Sequence, residues 1–257
     1  MSTRFEALQN NYLQGLEEQK HLLHSSYENS DSTKGFKETD RLGGVDPYSA
    51  SKGMAELAIR SYVESFFKNI NSNIRIGITR AGNVIGGGDW AKDRLVPDIV
   101  RSLSTNHEIH IRNPTAVRPW QHVLEAISGL FCLSKKMYDE PTSFAQPWNF
   151  GPLLDNENLT VSQLNSQIIS EWGSGNYNNT SQDEPHEANL LMLDSSKAIN
   201  KLNWHPVYSI KEAITKTITW YKEYFTNKDN MEKFTQDQIL EYVEQAKKMN
   251  LDWVSKI

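Results

Sequence analysis

The stretch from Asp46 to Leu57 constrains this chain more than any other, because it opens a helix and sets two reactive side chains four residues apart. Pro47 suits the first turn of a helix, where its missing N–H costs nothing. On a helix, Tyr48 and Lys52 share one face, so we expect them to point into the same space. Apolar residues then recur at helical spacing to about residue 67; they are Met54, Leu57, Ala58, Tyr62 and Phe66.

The pairing of Tyr48 with Lys52 has a chemical use. An ammonium group near a phenol favours the phenolate. A phenolate can take the proton of a substrate hydroxyl while a hydride leaves the same carbon. Short motifs of this kind also occur by chance, so an ordinary exposed tyrosine and lysine on an amphipathic helix are the alternative.

The catalytic interpretation is favoured by further sequence blocks, above all Gly86-Gly87-Gly88-Asp89-Trp90 and Arg118-Pro119-Trp120-Gln121-His122. Together with Tyr48-Ser49-Ala50-Ser51-Lys52, and in this order and spacing, they resemble the CDP-glucose 4,6-dehydratases, a branch of the extended short-chain dehydrogenase/reductase superfamily. The resemblance covers roughly residues 35 to 225. The two blocks named above are the most specific part of this resemblance.

The resemblance implies an α/β fold, made of the C-terminal part of a Rossmann-like doubly wound parallel sheet and a small α/β substrate-binding domain. We expect this partial epimerase/dehydratase domain to occupy residues 35–257, with substrate-binding elements mainly in 85–125 and 150–225. Residues 1–34 carry no recognisable match. The spacing of Phe5, Leu8 and Tyr12 predicts a helix there, followed by a polar loop.

The resemblance also implies roles for individual residues. Tyr48 would be the acid/base, and Lys52 would hold the nicotinamide ribose of NAD. Arg118 would bind the substrate diphosphate, which a guanidinium fork suits. NAD contacts would come from Tyr48, Lys52, Arg80 and Ala81, and nucleotide-sugar contacts from Asn83, Arg94, Arg112, Arg118 and His186. The alternative for Asn83 is a turn residue, and for Arg94 and Arg112 it is a surface ion pair.

Members of this branch dehydrate CDP-glucose to CDP-4-keto-6-deoxyglucose through transient NAD-dependent oxidation at C4, which feeds deoxysugars into O-antigen. The resemblance therefore predicts a hydro-lyase. However, the sequence ahead of Tyr48 contains no Gly-x-Gly-x-x-Gly turn, and such a turn brings the backbone to the cofactor pyrophosphate. The alternative is a truncated, inactive chain or a half-enzyme that only binds a nucleotide sugar or a partner.

Composition argues against several other classes. The net charge of −5 argues against nucleic-acid binding, which leaves a basic footprint. No apolar run approaches the length of a membrane span, and no Cys/His cluster has metal-ligand spacing. The single Cys132 fits a reducing compartment, so we expect a cytoplasmic protein. The partner would be a second copy of the chain in a homodimer, or a complementary N-terminal polypeptide.

Two predicted elements bear on the site. Residues Ile74–Arg80 alternate in polarity and predict a core strand, whose C-terminal end would face the ligand crevice. Residues Val123–Tyr138 predict an amphipathic helix. Its inward face would be built on Val123, Ala126, Ile127, Leu130, Phe131 and Leu133.

Overall fold

A computed structural model of the chain describes residues 26–28, 34–44, 46–68, 72–154, 158–179 and 190–254. The helix and most of the loop predicted for residues 1–34 lie outside these ranges, as does His186. The helices are α1 Pro47–Tyr62, α2 Leu95–Ser104, α3 Val123–Asp139, α4 Pro141–Phe144, α5 Val161–Trp172, α6 Ser196–Leu202, α7 Ile210–Thr226 and α8 Met231–Lys248. A π-helical turn, Val63–Phe67, continues α1 to the predicted end of its helix. Within the described ranges, no helix is both long and apolar enough to cross a bilayer.

The strands pair in parallel. They are β1 Ile78–Ala81, β2 Asn83–Ile85, β3 Ile109–Ile111, β4 Trp120–His122, β5 Pro147–Phe150 and β6 Tyr177–Asn179. In the described part of the chain, β1 pairs with β5, β2 with β4 and β3 with β6. The strand predicted to start at Ile74 begins only at Ile78, because its partner β5 begins at Pro147, directly opposite Ile78. The start predicted at Ile74 is therefore wrong.

Gly82 lets the chain change partners between β1 and β2. Its N–H donates to the Phe150 carbonyl on β5 at 3.0 Å, and the next N–H, of Asn83, donates to the Pro119 carbonyl at 2.8 Å. A Cβ at Gly82 would lie 2.3 Å from the Pro119 oxygen. Only glycine fits this close approach, and the result brings the ends of β1 and β2 to the same place.

Two larger cores and two smaller apolar clusters hold the described part of the fold together. The larger core packs α2, α5 and α7 against β3 and β4, and includes the fully buried Val100, Leu164 and Ile214. The second core joins α3, β5 and α6 around Trp148 and Trp204. Cys132 belongs to this second core.

The inward face predicted for α3 is largely wrong. Leu133 is buried, but Ile127, Leu130 and Phe131 are 39%, 47% and 65% exposed. Apart from Leu133, the buried face carries small or polar residues, namely Glu125, Ser128, Gly129 and Cys132. The reason is close packing: a Cβ at Gly129 would lie 2.4 Å from the Phe150 ring, so α3 presses this face onto β5.

Candidate active site

A cavity of about 450 Å³ opens between α1, the C-terminal ends of β1 and β2, and the start of α2. Carboxyl ends of parallel strands are the usual ligand-binding edge of such sheets. Six of the predicted site residues line this cavity, and they are Tyr48, Lys52, Arg80, Ala81, Asn83 and Arg94.

The tyrosine and the lysine share a face of α1, as the four-residue spacing predicted. Lys52 Nζ lies 5.2 Å from the centroid of the Tyr48 ring, and the Tyr48 side chain is 40% exposed beside the cavity. The start of α1 is fixed by Asp46, whose carboxylate accepts the Ser49 N–H at 2.9 Å, and by Pro47 in the first turn. A phenol and an ammonium are therefore available together at an open, ligand-sized cavity.

A second cavity of about 440 Å³ adjoins the first, because Leu95 and Trp120 line both. Arg112 and Arg118 line this second cavity. Arg118 is buried at 3% exposure, and its Nη1 donates to the Val117 carbonyl at 2.9 Å. Its guanidinium is therefore held in place by the protein itself. Arg112 is exposed at the rim.

Arg80 sits in a buried polar cluster that sequence reasoning missed. Its Nε and Nη2 donate to the carboxylate of Glu56 at 2.8 and 2.5 Å, and its Nη1 donates to the Tyr27 phenol oxygen at 2.5 Å. The Tyr27 hydroxyl in turn donates to Asn149 Oδ1 at 2.6 Å. Arg80 was predicted to contact NAD; that stays a prediction, but its guanidinium is already bound by Glu56 and Tyr27.

Burial and charge act in opposite directions on the pKa values of this cluster. Burial raises the pKa of Tyr27 to about 12, against the lowering effect of the nearby Arg80. Burial by itself would lower the pKa of Arg80, but the hydrogen bond to Glu56 and the proximity of Tyr27 raise it above its ordinary value. The cluster is thus a stable ion pair with a neutral phenol beside it.

The structure shows the alternative proposed for Arg94, a surface ion pair, but not the one proposed for Asn83, a turn residue. Arg94 is exposed and lies 3.6 Å from a carboxylate oxygen of Asp89, so the surface ion pair is present, although Arg94 also lines the first cavity. Asn83 starts β2, opposite Trp120. The turn interpretation of Asn83 is therefore wrong, and its position at the cavity wall leaves a ligand contact as the prediction.

Some of the missed residues had a signal in the sequence. Glu56 follows Lys52 by four residues, as Lys52 follows Tyr48, so the spacing already placed a carboxylate near the same face. Tyr27 and Asn149 carried no such signal, because their contacts join segments separated by 122 positions.

A sequence model of the GDP-mannose 4,6-dehydratase family matches residues 14–217. The chain belongs to this family. The match starts ahead of residue 35, where the motifs named above begin. It includes all the predicted site residues, from Tyr48 to His186.

Two similar curated proteins are both 4,6-dehydratases. The chain is 42% identical to the CDP-glucose 4,6-dehydratase of Salmonella typhimurium over 207 residues, which are 79% of this chain and 57% of the relative. It is 27% identical to human dTDP-D-glucose 4,6-dehydratase over 208 residues, 78% of this chain and 55% of the relative. The chain thus spans a little over half the length of these relatives.

Solved structures agree on the fold. A dTDP-glucose 4,6-dehydratase from Bacillus anthracis, in complex with NAD, superposes with a TM-score of 0.62 at 20% identity, over 84% of this chain and 62% of that one. A UDP-glucuronic acid 4-epimerase from Bacillus cereus, with UDP-glucuronic acid and NAD, gives 0.65 at 20% identity, over 79% and 60%. These likenesses confirm the predicted Rossmann-like α/β fold.

Proposed function

We propose that this chain acts in the 4,6-dehydration of a nucleotide sugar, as a hydro-lyase with CDP-glucose as substrate. The observation that carries the proposal is the placement of Tyr48 and Lys52 in a cavity that adjoins a second one lined by Arg112 and Arg118. The 42% identity to a CDP-glucose 4,6-dehydratase supports CDP-glucose over other nucleotide sugars. The product would be CDP-4-keto-6-deoxyglucose, a precursor of the deoxysugars of O-antigen.

The cavity beside α1 fits the nicotinamide riboside end of NAD. Lys52 offers an ammonium that can bind ribose hydroxyls, and Ala81 and Gly82 present backbone and little side chain where a flat ring would lie. When bound, NAD would accept a hydride from C4 of the sugar and return it at C6.

The chain's own residues would move the proton. Tyr48 would accept the proton of the sugar 4-hydroxyl as the hydride leaves C4, and Lys52 would stabilise the phenolate that performs this step. The 4-keto group then acidifies the hydrogen on C5, and water leaves across C5 and C6. As the hydride returns to C6, C5 regains a proton, which completes the 4-keto-6-deoxy product.

The second cavity would take the nucleotide diphosphate. Arg118 presents a buried guanidinium, and such a group binds phosphate oxygens through paired hydrogen bonds. Arg112 at the rim adds a second positive charge, and Asn83 and Arg94 would contact the sugar from the first cavity. His186 completes the proposed substrate contacts on the basis of the resemblance alone.

The test is turnover by the purified chain with CDP-glucose and NAD, with the 4-keto-6-deoxy product followed by chromatography. We expect product from the wild-type chain and none above background from Tyr48→Phe. Calorimetric titration with CDP-glucose is run in parallel. Binding without product would replace the proposal by the half-enzyme alternative, and absence of both binding and product would reject it.

Two further predictions concern the cellular setting of the chain and its partner. The single cysteine, Cys132, is buried, which supports a reducing, cytoplasmic setting.

On α1, Met54 and Leu57 are 62% and 51% exposed, which supports contact with another polypeptide, either a second copy of this chain or a complementary one. Light scattering of the purified chain, alone and after co-expression with candidate partners, tests this point.

A further inference from the structure

The helix that carries Tyr48 and Lys52, α1, buries polar and small residues in place of large apolar ones. The buried residues of α1 are Ser49, Gly53 and Glu56. Serine and glycine bury little apolar surface, and the large apolar residues Met54 and Leu57 face outward. Among the described residues, α1 is hydrogen-bonded to the strand behind it through a charged contact, made by Glu56.

This contact is a two-pronged ion pair with Arg80 on β1. The pair is formed by Nε and Nη2 of the guanidinium and both oxygens of the carboxylate. Its side chains are 6% and 10% exposed. A fork of this kind fixes orientation as well as distance, because both groups are planar.

The ion pair is itself held from two further sides. Ser26 Oγ donates to Glu56 Oε1 at 2.9 Å. Tyr27 bridges Arg80 to Asn149, and Asn149 lies opposite Arg80 in the pairing of β1 with β5. Arg80 therefore cannot shift without disturbing both strands, and Glu56 cannot shift without disturbing Arg80.

The spacing along α1 connects this anchor to the cavity. Tyr48, Lys52 and Glu56 follow one another at four-residue intervals, so a rotation or slide of the helix at Glu56 displaces Tyr48 and Lys52 by a similar amount. Arg80 is followed in β1 by Ala81, and then by Gly82 and Asn83, all at the wall of the same cavity. The ion pair thus links both walls of the proposed site.

We infer that Glu56 and Arg80 are positioning residues, which set the placement of Tyr48 and Lys52 against the end of β1. The inference rests on the proposed function of Tyr48 as acid/base. It assigns Arg80 an action through α1 in place of direct contact with NAD.

The test compares Glu56→Gln and Arg80→Lys with a matched control, Glu64→Gln. Glu64 lies on the same helical run and forms an exposed ion pair with Lys68. Folding of each variant is checked by circular dichroism. Arg80→Lys keeps both charges but loses the fork to Glu56 and the hydrogen bond from Nη1 to Tyr27. It keeps the inference testable if Glu56→Gln fails to fold.

The first readout is kinetic. We expect kcat to fall on the order of 100-fold in Glu56→Gln and Arg80→Lys, the cost of a displacement of about 1 Å at the reacting groups. The KM for CDP-glucose should stay near the wild-type value, because the diphosphate contacts lie in the second cavity. Glu64→Gln should match wild type in both. A folded Glu56→Gln and Arg80→Lys with wild-type kcat would overturn the inference.

The second readout needs no turnover. With 3-fluorotyrosine incorporated at position 48, we expect the fluorine NMR resonance to move in Glu56→Gln and Arg80→Lys and to stay in Glu64→Gln. If the wild-type chain produces no 4-keto product, the proposed function fails, but the resonance still decides the positioning role. A resonance unchanged in all three variants would refute that role whatever the enzyme's activity.

Discussion

The phenol of Tyr242 donates a 2.8 Å hydrogen bond to the carboxylate of Glu125, joining α8 to α3 across 117 positions of sequence. Glu125 also accepts the backbone N–H groups of Val207 and Tyr208, at 3.0 and 2.8 Å. The helix α8 lies beyond the family match, which ends at residue 217. This buried carboxylate is therefore one of the contacts that attach α8 to the family domain, together with the ion pair of Lys216 and Glu241.

This carboxylate should make the stability of the fold depend on pH. Burial raises the pKa of Glu125 from 4.5 to about 7, against the lowering effect of the hydrogen bonds from Tyr208 and Val207. A raised pKa means that the folded state binds more protons than the unfolded state between these values. The resulting stability is fully present below about pH 4.5 and is lost as the pH rises through about 7.

The measurement is denaturant unfolding of wild type and Glu125→Gln between pH 4.5 and 8. We expect the free energy of unfolding of wild type to fall by about 3 kcal/mol relative to the variant over this range, from the size of the pKa shift. Subtraction of the variant removes the contributions of all other groups. A constant difference between the two proteins across the range would contradict the prediction.

His122 should give the opposite slope at lower pH. Burial, with a smaller effect from Lys216, lowers the pKa of His122 from 6.5 to about 4. The unfolded state therefore binds the proton first, and stability is lost as the pH falls from 6.5 towards 4, by about 3 kcal/mol. Unfolding of His122→Gln, compared with wild type, should lack this loss, whereas the exposed His107→Gln should retain it. Equal acid sensitivity of all three proteins would refute the prediction.

Local sequence signals predicted the parts of the site that lie within one element. Proline at the helix start and four-residue spacing fix the relation of Tyr48 to Lys52, and the structure confirms their shared face. The same reasoning predicted the strand that delivers Ala81 to the cavity, although not its start. Short-range geometry decides these features, so a single sequence suffices to find them.

Contacts between distant segments could not be predicted in this way. Hydrophobicity suggested that Ile127, Leu130 and Phe131 face inward on α3, but the buried face carries Glu125 and Gly129. The outcome depends on a close approach to Phe150 and on hydrogen-bond donors supplied near Tyr208. Neither partner is adjacent in sequence, and tertiary packing overrides the local pattern. The cluster of Tyr27, Glu56 and Arg80 was missed for the same reason.

Replacement of Arg118 by lysine should weaken nucleotide-sugar binding. Lysine keeps the charge but loses the planar fork, so we expect the Kd for CDP-glucose to rise about tenfold, the worth of one charge-assisted hydrogen bond. Calorimetric titration measures the effect, and Arg41→Lys, which alters an 88% exposed side chain, is the control. The affinity for CMP, which lacks the second phosphate, should fall less in Arg118→Lys than the affinity for CDP-glucose. Equal losses for both ligands would argue against a diphosphate contact.

Replacement of Gly129 by alanine tests the packing of α3 on β5. Alanine favours a helix over glycine by about 1 kcal/mol, but its Cβ would lie 2.4 Å from Cδ1 of Phe150. That ring is 1% exposed and packs edge-on against Trp204 at 5.0 Å, so it has no free space to move into. We expect a net loss of about 1 to 3 kcal/mol in the free energy of unfolding, as for other overpacked cores.

Urea unfolding of Gly129→Ala measures this loss, with Ser134→Ala on the exposed side of α3 as the control. The control should stay within about 0.5 kcal/mol of wild type. If Gly129→Ala were as stable as wild type, α3 would be able to lift from β5 without cost. The placement of Asn149, next to Phe150 in β5, would then be less constrained than its contact with Tyr27 implies.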